Sequence, residues 1–327
     1  MIRSKLLPAI ACCAFITVAG CVSGFAAPKP ANAGKAGWTT SETPASAYDP
    51  AYAAFDSGHY EEALKLATAA AAGGEIQANT LIGKIYEQGL GVRRDDAKAV
   101  EWFTKGAVAG DMHAQFLLGV MLREGRGVKK DAKKAADFFE AAAQQGHTLA
   151  AYNLAQTYVE GWVRPQDMQK AAYWLEQAAK KDNAQAAYDL SALYRSGEGM
   201  PKDPAKAAMW LKKAADQGNA DAEVEYAIML ANGKVVPKDE LAAVALLRVA
   251  AERGNAVAQN RLARAYSAGF GVQADRIQAA KWHLLARQSG EADFRLDLLV
   301  MSLRPGERRE AEKLAEAWRE ASGQAAR

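Results

Sequence analysis

Residues 111–146 read DMHAQFLLGVMLREGRGVKKDAKKAADFFEAAAQQG, and this stretch decides the fold. Its first half spaces apolar residues as on one face of a helix, at Ala114, Leu117, Leu118, Met121 and Leu122. Gly125 and Gly127 then favour a helix end and a tight loop. Asp131 can cap a second helix, and a second apolar face follows it. The stretch therefore predicts two helices joined by a short loop.

The same pattern recurs every 36 residues. The capping aspartate stands at Asp95, Asp131, Asp167, Asp203, Asp239 and Asp275, and the first loop glycine at Gly89, Gly125, Gly161, Gly197, Gly233 and Gly269. A fixed period of this length indicates a stacked-repeat architecture. We predict an all-α fold, an α-solenoid (superhelix) of stacked antiparallel helix pairs. Six windows, here repeats 1 to 6, fill residues 75–290, and Asp182 replaces the glycine that closes the other repeats.

Large aromatic side chains recur in register in the second helix of most repeats, at Trp102, Phe138, Trp174, Trp210 and Trp282. Recurrence in register predicts that they fill equivalent spaces between helices. We therefore expect the rings of Trp174 and Trp210 to be buried. Trp162 lies in the loop of repeat 3, where it is either an exposed contact residue or, as we expect, folded over a neighbouring helix end.

The spacing LG-x2-Y-x2-G-x-G-V-x3-D-x2-KA-x2-W-x3-A resembles the Sel1-like repeat, a relative of the tetratricopeptide repeat. Residues 86–92 and 98–102 match it closely, as do residues 194–199 and 206–210. The resemblance covers about two thirds of the chain. Repeats 3 and 5 depart from it, because Val163 and Val235 stand where the second loop glycine is expected. These two loops should be built differently.

The remaining segments flank the array. Residues 47–74 read as an N-terminal tetratricopeptide-like helix pair, and residues 291–322 as C-terminal capping helices that shield the edge of the stack. Residues 34–46 are rich in small and polar residues and are predicted to be a flexible tether.

Residues 1–33 have the basic start and apolar stretch of a secretory signal peptide. Two processing sites are open. Residues 18–21 resemble the lipobox of bacterial lipoproteins, which implies cleavage before a lipidated Cys21. The alternative is cleavage after Ala33, at an A-x-A site. Either one predicts a periplasmic protein, and a lipidated Cys21 also predicts association with the outer membrane.

Composition and motifs argue against several classes of function. All three cysteines, Cys12, Cys13 and Cys21, lie in the leader, so the body has no thiolate site. Cleavage after Ala33 leaves 38 basic and 38 acidic residues, a balance that argues against nucleic-acid binding. The sequence contains no nucleophile–base or metal-binding motif. We predict no enzyme activity, no metal and no cofactor.

The resemblance also implies a binding surface, because the first helix of each pair lines the concave face in tetratricopeptide relatives. Carried over by that analogy, the predicted protein-binding groove consists of Phe116, Val120, Arg123, Tyr152, Tyr188, Arg195 and Ile228. An aromatic strip flanked by arginines is typical of binding hot spots. The alternative is that these rings pack on neighbouring helices.

The resemblance to exported Sel1-like proteins implies a scaffold or regulator that binds another envelope protein, as in exopolysaccharide secretion or sensor-kinase signalling. One alternative is a cell-envelope carbohydrate-binding protein that uses Tyr152 and Tyr188 as stacking platforms. A more distant alternative is an enzyme acting on cell-wall compounds or β-lactams.

Overall fold

The computed structural model describes residues 50–323, and every regular element in them is an α-helix. This confirms the predicted all-α solenoid. The chain forms two compact units that divide between Asp111 and Met112. Helices of the first unit are α1 Pro50–Asp56, α2 Tyr60–Ala72, α3 Ile76–Gln88 and α4 Asp96–Val108. Those of the second unit are α5 Met112–Glu124, α6 Ala132–Gln144, α7 Thr148–Glu160, α8 Met168–Lys180, α9 Ala184–Ser196, α10 Pro204–Asp216, α11 Ala220–Asn232, α12 Glu240–Glu252, α13 Ala256–Ala268, α14 Arg276–Gln288, α15 Phe294–Met301 and α16 Pro305–Ala321.

The predicted aspartate caps are present in all six repeats. Each carboxylate accepts a hydrogen bond from a backbone N–H in the first turn of the second helix, at 2.9–3.0 Å. Such a bond satisfies one of the N–H groups that a helix start leaves without an intrahelical partner. The caps therefore fix where each second helix begins, and they explain the constant spacing.

The second helix of each repeat buries alanines and a larger side chain next to the recurring aromatic position, which the sequence identified only in repeat 2, as Phe139 on the second apolar face. Phe103 in repeat 1 and Phe139 in repeat 2 are fully buried, directly after the aromatic position that we had singled out. Leucine takes the same place in the next three repeats, at Leu175, Leu211 and Leu247. One residue along a helix turns a side chain by about 100°. The recurring aromatic side chains of the second helices therefore lie at the margin of the core in several repeats.

Burial of the recurring aromatic side chains is accordingly uneven. Trp210 and Trp282 are buried, as expected. The ring of Trp174 is only half-buried, so the prediction that it is a core ring is wrong. Trp162 is 91% exposed, so it does not fold over a neighbouring helix end.

The loop of repeat 3 is held by Arg164 rather than by Trp162. Its guanidinium forms ion pairs of 2.8 Å with both Asp137 and Glu140 on α6 and donates a hydrogen bond of 3.1 Å to the hydroxyl of Tyr158. This loop lacks the second glycine, and the ion pairs provide another way to attach it to the preceding repeat. The prediction that this loop is built differently is confirmed.

The turn that closes repeat 3 confirms the reading of Asp182. This residue has a φ of 63°, the only positive φ of a non-glycine residue among residues 50–323. Aspartate tolerates this left-handed conformation better than most residues, so the turn survives without glycine.

The two flanking segments are helical where the structure describes them. Helices α1 and α2 lie within the predicted N-terminal pair, and α15 and α16 within the predicted C-terminal cap. In α15 the apolar segment is divided, since Leu296 is buried whereas Phe294 is 73% exposed. The leader, including Cys21 and Ala33, and the predicted tether lie outside the described residues.

Candidate functional site

All seven predicted groove residues lie on first helices of the second unit. They are Phe116, Val120 and Arg123 on α5, Tyr152 on α7, Tyr188 and Arg195 on α9, and Ile228 on α11. We call this set the first-helix face. The two arginines are exposed, and the other five residues are half-buried. The face therefore presents two exposed guanidinium groups beside partly exposed apolar and aromatic side chains.

Polar side chains of this face are bonded to the first helix of the following repeat. The Tyr188 hydroxyl donates a hydrogen bond of 2.7 Å to Glu225 on α11, and Arg195 pairs with the same carboxylate. Arg123 donates to the side-chain oxygen of Asn153 on α7. These bonds connect successive first helices, so part of the predicted groove also serves the packing of the repeats.

The aromatic residues of the face differ in their surroundings. Phe116 stacks on the ring of His147, with 4.5 Å between centroids, and lies 6.0 Å from Phe139. Its ring therefore packs against neighbouring helices, as the alternative reading held. Tyr152 and Tyr188 are half-buried and hydrogen-bonded to acidic side chains of the next repeat. Both tyrosines therefore remain partly accessible while they are bonded to the following repeat.

The acidic partners on this face were missed at the level of sequence. Asp189 follows Tyr152 by 37 residues, and Glu225 follows Tyr188 by the same interval. The sequence did contain a signal for these pairs, because each tyrosine is followed by an acidic residue 37 positions later, one more than the repeat length. Burial raises the pKa of the Tyr188 hydroxyl, and the hydrogen bond to Glu225 raises it further. This tyrosine therefore stays a hydrogen-bond donor at neutral pH.

Asp189 carries a half-buried carboxyl group between repeats 3 and 4. It accepts hydrogen bonds from Gln185, at 2.9 Å, and from Gln156, at 3.2 Å. Burial raises its pKa to about 6, although the hydrogen bonds to it oppose the shift. The group therefore titrates close to neutral pH.

This raised pKa predicts a pH-dependent stability. An unfolded aspartate titrates near pH 3.9, so between about pH 4 and 6 the folded chain holds a proton that the unfolded chain has released. We expect the free energy of unfolding to fall by about 2–3 kcal/mol as the pH rises through this window. Urea unfolding at several pH values measures the loss. The Asp189→Asn variant has no proton to release at this position, so its free energy of unfolding should depend less on pH. An equal dependence on pH in both proteins would contradict the raised pKa of Asp189.

Residues 50–323 contain neither a cluster of metal-ligating side chains nor a helix that could span a membrane. No group of three or more histidine, cysteine or acidic side chains there is arranged to hold a metal ion. None of the helices in this range has both the length and the apolar character needed to cross a bilayer.

Stacked helix pairs that present side chains from their first helices define a helical-repeat protein. The Sel1 repeat profile matches residues 76–111, 113–147, 148–183, 184–219, 220–255 and 256–291, so the chain belongs to the Sel1 repeat family. This is a non-catalytic scaffold family, and its fold is typical of protein–protein interaction modules.

Two solved structures are similar to the chain. A Sel1 repeat protein from Oxalobacter formigenes is 29% identical with a TM-score of 0.64, and the match covers 73% of this chain and 98% of that one. A protective antigen of uropathogenic Escherichia coli strains, displaying an SLR fold, is 27% identical with a TM-score of 0.53, over 81% of this chain. The match spans 66% of the antigen's length. No curated protein sequence gives a significant match.

Proposed function

We propose that this protein is a periplasmic protein-interaction module that binds another envelope protein through the first-helix face. The observation that carries the proposal is the pair of exposed arginines, Arg123 and Arg195, beside half-buried aromatic and aliphatic side chains on successive repeats. Arginine and aromatic residues dominate the energetics of protein interfaces. The partner acts in an envelope process such as exopolysaccharide secretion or sensor-kinase signalling.

Photo-crosslinking in cells tests the location of the partner. A benzoylphenylalanine placed at Arg123 or Arg195 should form a crosslink to one protein, which mass spectrometry then identifies. The matched controls are Lys133 and Lys212, exposed residues on the second helices α6 and α10. Equal crosslinking from both pairs of positions would contradict a specific first-helix face.

Truncation of the arginines tests the energetics once the partner is known. We expect Arg123→Ala and Arg195→Ala each to weaken binding by about 2 kcal/mol or more, roughly thirtyfold. Folding should be little affected, because ion pairs of exposed side chains contribute about 0–1 kcal/mol. Tyr188→Ala is a less suitable test, since it also removes the bond to Glu225. Calorimetric titration measures the affinity, with Lys212→Ala as the control, and unchanged binding by the arginine variants would exclude this face.

We also propose that the protein is anchored to the outer membrane by a lipid on Cys21. The support is the lipobox-like run of residues 18–21. We expect Cys21→Ala to leave the precursor unprocessed and unlabelled by radioactive palmitate. Normal maturation of this variant, with Gly34 as the first residue, would show instead that cleavage follows Ala33 and that the protein is released in soluble form. An anchored protein fits a scaffold, and a released one fits a regulator.

A further inference from the structure

A cleft of about 420 Å³ opens between repeats 2 and 3 of the second unit. It lies between the end of α6, the start of α7 and one face of α8. The side chains that matter for its chemistry are Tyr173, Trp174, Gln144, Gln177, Thr148 and Lys181. Its volume is in the range of small-ligand sites, about 300–1,000 Å³. None of these side chains belongs to the first-helix face.

Two aromatic rings form one wall of the cleft. Tyr173 is 54% exposed, and its ring meets that of Trp174 edge to face, with 5.0 Å between centroids. The repeat itself does not require an aromatic residue beside Trp174, because the positions equivalent to Tyr173 are Glu101, Asp137, Met209, Ala245 and Lys281. The exposed ring is therefore specific to repeat 3.

The polar lining is mostly uncharged. The amides of Gln144 and Gln177 and the hydroxyl of Thr148 each both donate and accept hydrogen bonds. Lys181 is the only charged residue among the described residues that line the cleft, and its ammonium group donates a hydrogen bond of 2.8 Å to the carbonyl of Gly146. This bond holds the lysine across the rim and leaves two of its N–H groups for a ligand.

We propose that this cleft binds a saccharide. A sugar ring has an apolar face of C–H groups, which suits the exposed ring of Tyr173, and neighbouring hydroxyl groups, which suit side-chain amides. A protein partner fits less well, because specific interfaces bury about 800 Å² on each side and a cleft of about 420 Å³ offers little of that area. The site is independent of the proposed protein-binding face.

Ligand-observed NMR with the purified protein tests the inference, using cellotetraose, chitotetraose and tetragalacturonate as probes. We expect at least one probe to bind with a millimolar or lower Kd and to change the tryptophan fluorescence of the protein. Tyr173→Ala should weaken this binding by about tenfold or more, because the sugar loses its apolar contact. Gln177→Ala should weaken it by about threefold to tenfold through the lost hydrogen bonds.

Trp162→Ala is the matched control. Trp162 is exposed and belongs to the same repeat, but it follows the far end of α7, about 20 Å from Thr148. The Trp162→Ala variant should bind the probes with the same affinity as the parent protein. Tyr173→Ala should keep the melting temperature, since half of the ring is already in water.

Three results would overturn the inference. The first is that none of the three probes binds at millimolar concentration. The second is that binding survives Tyr173→Ala. The third is that Tyr173→Ala abolishes the binding of a protein partner while no probe binds, which would make the cleft part of a protein interface. None of these results bears on crosslinking from Arg123 or Arg195, so the proposed function is tested separately.

Discussion

Trp210→Ala is expected to lower the free energy of unfolding by about 3–5 kcal/mol. The ring of Trp210 is only 7% exposed on α10, within the second unit. Truncation removes its apolar contacts and leaves a cavity that the surrounding helices fill only in part. Because each repeat is stabilised by its neighbours, the loss should spread to the adjoining repeats. Urea unfolding measures this loss, and we expect a lower midpoint with an unchanged dependence of the unfolding free energy on urea concentration.

Two other tryptophans in the same unit provide the controls. Trp174 occupies the equivalent position one repeat earlier but is half-buried and borders the cleft, so Trp174→Ala should cost only about 1–2 kcal/mol. Trp162→Ala should be nearly neutral, because this ring is 91% exposed. An equal loss in all three variants would mean that the burial of the rings is misassigned.

Gly271→Ala is expected to cost about 2–5 kcal/mol of stability, the second-largest effect. Gly271 has a φ of 57°, and an added Cβ would lie 2.6 Å from the carbonyl carbon of Glu240 and clash with its oxygen. Glu240 is the first residue of α12, so that carbonyl is held by the helix and cannot yield cheaply. The loss combines left-handed strain, about 1–2 kcal/mol, with overpacking, about 1–3 kcal/mol.

Gly290→Ala separates these two contributions. Gly290 also has a positive φ, 93°, but nothing lies within 4 Å of the position of an added Cβ. Its alanine variant should therefore lose only the strain, about 1–2 kcal/mol. Thermal unfolding of the two variants measures the difference. If Gly290→Ala were as destabilising as Gly271→Ala, the close contact of Gly271 with the Glu240 carbonyl would not explain the need for glycine at this loop position.

The sequence predicted the fold well because its signals are local. The capping bond of Asp131 to the backbone of Lys134 spans three residues, and the positive φ of Asp182 is a property of one residue. Interactions of this range are repeated in each window, so their register can be read without knowing how the windows pack. The loop of repeat 3 was recognised as different for the same reason, from the valine at position 163.

The binding surfaces were predicted less well because they depend on contacts between repeats. Phe116 was assigned to a groove by analogy, yet its ring stacks on His147, a residue of the next repeat. Tyr188 was assigned to the same groove, and no local pattern predicted that its hydroxyl is bonded to Glu225. The small rotation between successive repeats decides such contacts, and no pattern within one window reports it.

By itself, the sequence determined that this protein is a stack of 36-residue helix pairs with aspartate caps and glycine loops. Those features arise from backbone hydrogen bonds and φ preferences within a few residues. Only the tertiary structure decided that Trp210 is buried while Trp174 borders a cleft, and that Asp189 is half-buried with a raised pKa. Burial depends on what the neighbouring repeat places against a side chain, and residues 36 positions apart bear the same local pattern in different surroundings.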